Sequence, residues 1–328
     1  MRVLVTGGAG YIGSHIVHEL RRNGVHTVIL DDLSLGHAES VEGFDLVRGD
    51  IGNRDLVRET IISQRIDVLI HMAARSQVGE SVRDPGVYYD HNVRRSLELL
   101  EGMREAGCKR MVFSSSAAVY GEPKTVPILE EHPALPTNPY GATKLCFEEA
   151  LGWYRQAYGF GFISLRYFNA AGAVPEDRLG EDHDPETHLI PLVLQTALGR
   201  RERLVIHGTD YPTPDGSCIR DYIHVVDLAR AHVQAAKRLS AGSPGAIYNL
   251  GTGTGTSVKE VIAVARTVTG REIPTQEGPR RAGDPAVLVA ASSRTQAGFD
   301  WTPRIPLRKI IESAWDWHSR NPDGYGGL

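Results

Sequence analysis

A tyrosine and a lysine, Tyr140 and Lys144, are four residues apart in a segment that predicts a helix. On a helix this spacing places both side chains on one face, with Cβ atoms about 5–6 Å apart. A free phenol titrates near pH ~10, and a neighbouring cation favours the phenolate. The pair can therefore act as a base that removes a proton from a hydroxyl group. A YxxxK spacing alone is weak evidence, so its context decides.

The first part of that context is a glycine-rich loop after a predicted strand, Arg2 to Thr6. The loop precedes a predicted helix, Ser14 to Arg22. Glycines permit a tight turn and a close approach of the backbone to a pyrophosphate, whose charge meets the free N–H groups at the start of the helix. We therefore predict a dinucleotide site that includes Gly7, Gly10, Tyr11, Ile12 and Gly13.

The second predicted strand, Thr27 to Leu30, ends at Asp31, 18 positions after Gly13. A carboxylate at this position fits the ribose 2′-hydroxyl of NAD, whereas an arginine would suit the 2′-phosphate of NADP. No arginine follows Asp31 directly. The sequence therefore favours NAD.

Composition sets broad limits on the function. A chain of 328 residues allows about two domains, and a formal charge of −4 argues against nucleic acid or an anionic membrane as a partner. The three cysteines lack a CxxC spacing, which favours free thiols in a reducing compartment. His183 and His188 lie in an acidic stretch, but without an HExxH motif or a Cys/His cluster we expect no metal site. No long apolar run or export signal is present, so we expect a cytoplasmic protein that does not span a membrane.

Strands and helices alternate through the first half of the chain, including a predicted long helix from Val87 to Glu105. This alternation predicts an α/β fold with a Rossmann-like, doubly wound parallel sheet. Beyond Gly172 the pattern changes to shorter strands and helices. We predict an NAD-binding domain over residues 1–172, with possible returns from about 218–250, and a smaller mixed α/β substrate-binding domain over residues 173–328.

Longer motifs give a more specific resemblance. The segments are Ser114 to Gly121 (SSSAAVYG), Tyr140 to Lys144 (YGATK), Arg166 to Gly172 (RYFNAAG), Gly208 to His224 (GTDYPTPDGSCIRDYIH) and Arg281 to Asp284 (RAGD). Together with the glycine loop they resemble the UDP-glucose 4-epimerases of the extended short-chain dehydrogenase/reductase family. The resemblance covers nearly the whole chain. It implies reversible oxidation at C4 of the sugar of a UDP-sugar, with Tyr140 as base, Lys144 tuning it, and Ser116 holding the reacting oxygen.

The resemblance also implies which residues contact the two ligands. The implied cofactor contacts, besides the glycine loop and Asp31, are Asp50, Ile51, Ala73, Ala74, Asn92, Ser114, Tyr140, Lys144 and Tyr167. The implied substrate contacts are Ser116, Asn169, His188, Leu189, His207, Arg220, Tyr222, Arg281, Asp284 and Leu288. Among these, Arg220 and Arg281 are expected at the diphosphate and Asp284 at the uridine ribose.

Several positions depart from the family pattern. Ser76 replaces a lysine that commonly reaches the NAD pyrophosphate, and the neighbouring Arg75 is a possible substitute. His188 stands where an asparagine is common at the diphosphate, and His207 where an aromatic residue often packs against uracil. Leu288 lies at the position whose bulk limits the sugar 2-substituent, so turnover of N-acetylhexosamines stays open.

Alternative functions differ in what the residues can support. Sugar-nucleotide dehydratases need an acid just after the active-site serine, where Ala117 and Ala118 stand. A 4-epimerase of UDP-pentoses or of another nucleotide sugar stays open, and a non-catalytic NAD-binding protein is disfavoured by the intact Ser116, Tyr140 and Lys144. The family resemblance, with apolar spacing at Leu97, Leu99, Leu100 and Met103, also implies a homodimer. These apolar residues could alternatively face the sheet.

Overall fold

The computed structural model describes residues 1–281, 283–299 and 301–327. The strands are β1 (Arg2–Thr6), β2 (His26–Asp31), β3 (Asp45–Arg48), β4 (Val68–His71), β5 (Arg110–Ser116), β6 (Gly161–Tyr167), β7 (Asn169–Ala171), β8 (Leu204–His207), β9 (Ile219–His224), β10 (Ile247–Leu250), β11 (Gly255–Ser257), β12 (Thr275–Gly278) and β13 (Val287–Leu288). The helices are α1 (Tyr11–Arg22), α2 (Arg54–Gln64), α3 (Val78–Arg83), α4 (Pro85–Tyr89), α5 (Arg95–Glu105), α6 (Pro139–Tyr158), α7 (Leu189–Ala197), α8 (Val225–Ser240), α9 (Val258–Thr269), α10 (Ser293–Phe299) and α11 (Leu307–Arg320).

Seven strands form a central sheet in the order β10-β6-β5-β4-β1-β2-β3. Every neighbouring pair in it is parallel. The strands are apolar on both faces because helices cover both sides, with α1 and α8 packed against one core and α2, α5 and α6 against the other. The reversal of strand order beside β1 marks the doubly wound topology, so the predicted fold class is confirmed.

The predicted long helix of residues 87–105 is interrupted in the structure. Residues Asp90–Arg94 form a π-helical turn between α4 and α5. Such turns occur where a side chain is displaced from the regular helical pattern. Here the turn carries Asn92, which is buried and faces the segment after β4. Sequence periodicity did not reveal this break, because a single π turn hardly changes the apolar spacing.

The chain beyond β7 builds two smaller sheets and also returns to the large one. Strand β10 pairs with β6, and α8 packs beside α1. Strand β9 pairs with β7, β11 and β13, while β8 pairs with β12. Helices α7, α9 and α11 enclose a separate apolar core. The domain boundary at residue 172 stays a prediction. Among the described residues, no helix is long and apolar enough to cross a membrane.

Candidate active site

The candidate site lies along the carboxyl edge of the central sheet. Parallel strands place their carboxyl ends on one edge, where open α/β sheets bind ligands. The glycine loop follows β1, Asp31 ends β2, Ala73 follows β4, Ser116 ends β5 and Tyr167 ends β6. These residues are far apart in sequence, and the sheet topology brings them together.

The start of α6 fixes the position of Tyr140. The Asn138 side chain accepts a hydrogen bond from the Gly141 backbone N–H at 2.9 Å, which caps the helix. A Cβ atom at Gly141 would lie 2.4 Å from the carbonyl oxygen of Ala118. Only glycine permits this approach, and it places Tyr140 beside the end of β5.

The Tyr140 side chain is buried. Burial raises the pKa of Tyr140, and the nearby Ser116 hydroxyl acts in the opposite direction. The Lys144 ammonium lies 5.9 Å from the centre of the Tyr140 ring. The net direction is therefore opposite to the one expected from the Tyr-Lys pairing, because removal from water outweighs nearby polar groups.

Lys144 is fully enclosed and anchored to the sheet. Its Nζ donates a hydrogen bond to the Ser114 carbonyl oxygen at 2.8 Å. Burial lowers the pKa of Lys144 to about 7, although the Glu148 carboxylate one turn further along α6 raises it. Glu148 also binds the Arg166 guanidinium, with Nη2 to Oε2 at 2.5 Å, and both side chains are at most 5% exposed. This buried ion pair therefore keeps the negatively charged carboxylate of Glu148 next to Lys144.

Two hydrogen-bonded contacts support the predicted catalytic residues. The Tyr167 hydroxyl lies 2.5 Å from the Ser114 hydroxyl, and Tyr140 is close enough to raise the pKa of Tyr167 further, after the larger effect of burial. The Asn92 amide accepts a hydrogen bond from the Arg75 backbone N–H at 2.8 Å and donates one to the Arg75 carbonyl at 3.0 Å. Asn92 thus holds the segment after β4, which faces the glycine loop.

The glycine loop is packed too tightly for side chains. A Cβ atom at Gly7 would lie 2.5 Å from the Ala73 nitrogen, and one at Gly13 would lie 2.1 Å from the Gly7 oxygen. At Gly10 the nearest atom is the Gly7 oxygen at 3.5 Å, and Gly10 provides no side-chain cap to α1. The first N–H groups of α1 thus face a pocket free of competing side chains, which suits a pyrophosphate.

The carboxylate of Asp31 closes the other end of this loop. Its two oxygens accept hydrogen bonds from the backbone N–H groups of Ala9 and Leu33, each at 2.9 Å. Burial raises the pKa of Asp31, and these two hydrogen bonds lower it. Carboxylate oxygens have further lone pairs, so Asp31 can still accept a ribose hydroxyl. Together with the glycine loop, these residues fit a dinucleotide.

Other predicted cofactor residues lie nearby. Asp50 accepts a hydrogen bond from the Gly52 backbone N–H at 2.7 Å and forms an ion pair with Arg95. Ile51 is buried in the apolar core below the sheet edge. The Arg75 guanidinium lies 3.8 Å from the Glu80 carboxylate, so this predicted substitute for the lysine is directed to a carboxylate.

The predicted substrate residues are spread over the smaller sheets, the loops beside them and the start of α7. Arg220 is largely buried and forms an ion pair with Asp284, although the two were expected at different parts of the substrate. Arg281 and Asp284 line a cleft of about 340 Å³ together with Tyr211 and Arg280.

The remaining substrate positions lie on several neighbouring elements. Asn169 and Tyr222 are register partners on β7 and β9. Leu288 on β13 packs on the cluster that contains Ala117 and Phe168. His207 ends β8, with Nδ1 3.4 Å from the Pro279 carbonyl oxygen.

His188 precedes α7, and Leu189 begins it. The His188 imidazole binds the buried Glu181 carboxylate. Burial opposes the charged form of this imidazole, but Glu181 outweighs it and raises the pKa of His188. This contact with Glu181 was not expected from the sequence.

Three residues that support the site were missed from the sequence. Glu148 continues the four-residue spacing of Tyr140 and Lys144, so its position on their face of α6 was available as a signal. Thr143 accepts a hydrogen bond from the Asn92 amide at 3.1 Å and donates one to the Tyr140 carbonyl at 2.8 Å. Arg166, in the RYFNAAG motif, had no local signal for its contact with Glu148.

Comparison with known proteins identifies the family. A model described as the NAD dependent epimerase/dehydratase family matches residues 3–251. A UDP-glucose 4-epimerase of Halalkalibacterium halodurans is 52% identical over 326 residues, which cover 99% of this chain and 98% of that protein.

Solved structures of UDP-glucose 4-epimerases are also similar to this chain in sequence and in fold. The crystal structure of UDP-glucose 4-epimerase from Brucella ovis in complex with NAD is 45% identical, with a TM-score of 0.94 and coverage of 96% of this chain and 97% of that chain. The UDP-Glc/GlcNAc 4-epimerase of Campylobacter jejuni is 37% identical, with a TM-score of 0.85 and coverage of 97% and 99%. The chain therefore belongs to the NAD dependent epimerase/dehydratase family, and within it to the UDP-glucose 4-epimerases.

Proposed function

We propose that this chain interconverts UDP-glucose and UDP-galactose by removal and return of a hydride at C4 of the sugar, with NAD as its cofactor. The observation that carries the proposal is the meeting of Ser116, Tyr140 and Lys144 at the carboxyl edge of the sheet, beside the glycine loop. Relatives named UDP-glucose 4-epimerase match nearly the full length of the chain. Bound NAD would supply the acceptor and donor of the C4 hydride, and its oxidised nicotinamide would supply a positive charge.

Residues of the chain move the proton and orient the substrate. Tyr140 takes the proton of the sugar 4-hydroxyl and later returns it, since its phenol lies within hydrogen-bond reach of Ser116 at this edge. Ser116 holds the reacting oxygen. Its hydroxyl already accepts a hydrogen bond from the Ala118 N–H at 3.1 Å, so its rotamer is fixed before the substrate arrives.

The raised pKa of Tyr140 has a consequence for this mechanism. A buried phenol with a raised pKa keeps its proton and cannot act as a base, whereas a positive charge placed beside it lowers its pKa and favours the phenolate. Lys144 supplies only part of that charge, because its own pKa is about 7. We therefore expect Tyr140 to become an effective base only in the cofactor-loaded protein.

Elimination chemistry lacks a suitable residue. The two positions after Ser116 are Ala117 and Ala118, which cannot move a proton at C5 or C6. The 4-ketone must then turn within the site and receive the hydride at C4.

A second substrate class follows from one residue. The Campylobacter jejuni relative acts, by its name, on both UDP-Glc and UDP-GlcNAc. Leu288 is half-buried against Ala117 and Phe168, close to the reacting centre. Its intermediate bulk favours some turnover of UDP-N-acetylhexosamines beside the main reaction. UDP-pentoses are the remaining candidates.

We also propose a cytoplasmic homodimer. Leu99, Leu100 and Met103 pack in the core below the sheet, so these residues are unavailable to a partner. On the outer side of α6, however, Trp153 is 68% exposed. A second copy that covers α5 and α6 would bury this ring. Light scattering should give a dimer for the parent protein and a monomer for Trp153→Glu; a concentration-independent parent monomer would contradict the proposal.

The main experiment uses purified protein and a panel of UDP-glucose, UDP-N-acetylglucosamine and a UDP-pentose, with chromatographic separation of the epimers. We expect UDP-galactose as the main product and NAD, not NADP, among the small molecules released by denaturation. Turnover of a UDP-pentose alone, or a cofactor that is mostly NADP, would reject the assignment.

A further inference from the structure

The segment between β7 and α7 contains four side chains that meet at one point. They form what we call the His/Glu cluster: Glu181, His183, Glu186 and His188. Each offers one imidazole nitrogen or carboxylate oxygen, and these four atoms all lie within 4.8 Å of one another. Two imidazoles and two carboxylates form a typical ligand set for a transition metal.

The distances between these atoms resemble the edges of a metal tetrahedron. His183 Nδ1 lies 3.4 Å from Glu181 Oε1 and 3.6 Å from Glu186 Oε2. Zinc bonds of about 2.0–2.2 Å to nitrogen and oxygen place neighbouring ligands roughly 3.3–3.5 Å apart. His188 Nδ1 is closer to Glu181 than this, but its ring is 48% exposed and has room to turn outward.

Among the described residues, one group of the cluster makes no hydrogen bond, and the Glu181 carboxylate is paired only with imidazoles of the cluster itself. The Glu181 carboxylate is 4% exposed, and among the described residues no lysine or arginine lies within 4.0 Å of it. His183 Nδ1 is buried, points between the two carboxylates and makes no hydrogen bond. Buried charges are costly unless they are paired or coordinate a metal.

Hydrogen bonds from the backbone hold a carboxylate of the cluster in place. Glu186 Oε1 accepts hydrogen bonds from the backbone N–H groups of Thr187 and His188, at 2.6 and 2.8 Å, which leaves Oε2 directed toward His183. Such outer contacts orient metal ligands. A cleft of about 470 Å³, lined by Glu181, His183 and Glu186, connects the cluster with solvent.

We propose that the His/Glu cluster binds one divalent transition-metal ion, with zinc as the preferred metal. Its role is structural. The His183 ring packs edge-on against Tyr11 at the start of α1, with 6.2 Å between ring centres. Asp182, between two of the ligands, accepts a hydrogen bond from the Tyr325 backbone N–H at 2.9 Å. The ion would therefore fasten this segment between the nucleotide-binding sheet and the C-terminal end of the chain.

The test measures metal content directly. Untagged protein is freed of metal with EDTA, exchanged into buffer without phosphate, exposed to one equivalent of Zn²⁺ and desalted before elemental analysis. We expect close to one zinc per chain and a melting temperature raised by a few degrees, since the ion binds only the folded state. Co²⁺ should give the visible spectrum of a tetrahedral nitrogen and oxygen site.

Matched histidine variants locate the ion. His183→Gln and His188→Gln should each lose most of the retained zinc, and the half-exposed His188 can be replaced without disturbing the core. His37→Gln removes an imidazole that contacts Asp182 but lies outside the cluster, so it should keep the parent stoichiometry. The proposal is overturned if the parent retains no zinc, or if both cluster variants retain as much as the parent does.

Discussion

Two arginine–carboxylate pairs lie near the reacting centre, and they differ in how far water reaches them. In the pair of Arg166 with Glu148, both side chains are at most 5% exposed. In the pair of Arg220 with Asp284, the carboxylate is 29% exposed and borders the cleft at Arg281. The first pair is closed by apolar side chains and the π-system of Tyr120, whereas the second can be reached by a ligand.

This difference separates the site into a closed part and an open part. The closed part comprises Tyr140, Lys144 and the Glu148 pair, which are buried and held by contacts within the protein. The open part comprises Arg220, Asp284 and Arg281, where the existing ion pair must exchange partners if the arginine is to hold a diphosphate. Changes in the closed part should therefore affect the rate of chemistry or the stability, and changes in the open part should affect substrate binding.

The largest effect is expected at Tyr140. Tyr140→Phe removes only a hydroxyl, so we expect the fold, the NAD content and UDP-glucose binding to persist. The rate constant kcat for UDP-glucose should fall by about 10²–10⁴-fold, the range for a positioned acid or base. Exposed Tyr89 provides a matched control, and Tyr89→Phe should keep parental activity. A Tyr140→Phe variant within a few-fold of the parent would show that another group removes the proton.

The closed ion pair should matter most for stability. Glu148→Gln leaves the Arg166 charge buried without its partner, which typically costs about 3–5 kcal/mol. Urea unfolding should show this loss. Glu148→Gln combined with Arg166→Met should recover much of it, because no unpaired charge then stays in the interior. Equal stability of Glu148→Gln and the parent would mean that water reaches this pair.

The single variant Glu148→Gln should also change the pH dependence of kcat. Glu148 raises the pKa of Lys144, so its removal lowers that pKa below the present value of about 7. Lys144 then loses its proton at a lower pH. Because the Lys144 charge favours the Tyr140 phenolate, we expect kcat to fall as Lys144 loses its proton, and this fall should begin at a lower pH in the variant. An unchanged pH profile would indicate that the charge of Lys144 does not limit turnover.

In the open part, Arg220→Ala should act mainly on KM. A hydrogen bond to a charged group contributes about 1.5–3 kcal/mol, so KM for UDP-glucose should rise by roughly 10- to 100-fold with a smaller change in kcat. Arg308, an exposed arginine paired with Glu312, is the control, and Arg308→Ala should change neither constant. A fall in kcat alone would place Arg220 in the closed part.

The smallest effect is expected at Leu288, on the border between the two parts. Leu288→Tyr should reduce turnover of UDP-N-acetylglucosamine by several-fold more than turnover of UDP-glucose, because the added ring fills the space beside Ala117 and Phe168. The ratio of the two kcat/KM values measures this directly. Equal losses for both substrates would mean that Leu288 does not contact the sugar 2-substituent.

Local sequence was sufficient to predict those features whose conformation depends on residues close together in the chain. The glycine loop, the position of Asp31 after β2 and the Tyr140–Lys144 spacing each follow from the conformation of a short segment, and strand and helix alternation indicated the parallel sheet. The break in the helix at Asp90–Arg94 was not predicted, because one π turn leaves the apolar pattern of the helix nearly unchanged.

Tertiary structure alone decided the properties that depend on distant residues. The direction of the Tyr140 pKa follows from burial by β5, α4 and α6 together, which no spacing within α6 can reveal. The pairing of Arg220 with Asp284 and the meeting of four ligands in the His/Glu cluster depend on how loops close over the sheet. Sequence specifies which groups are available, whereas desolvation and mutual distance, which set their chemistry, exist only in the folded chain.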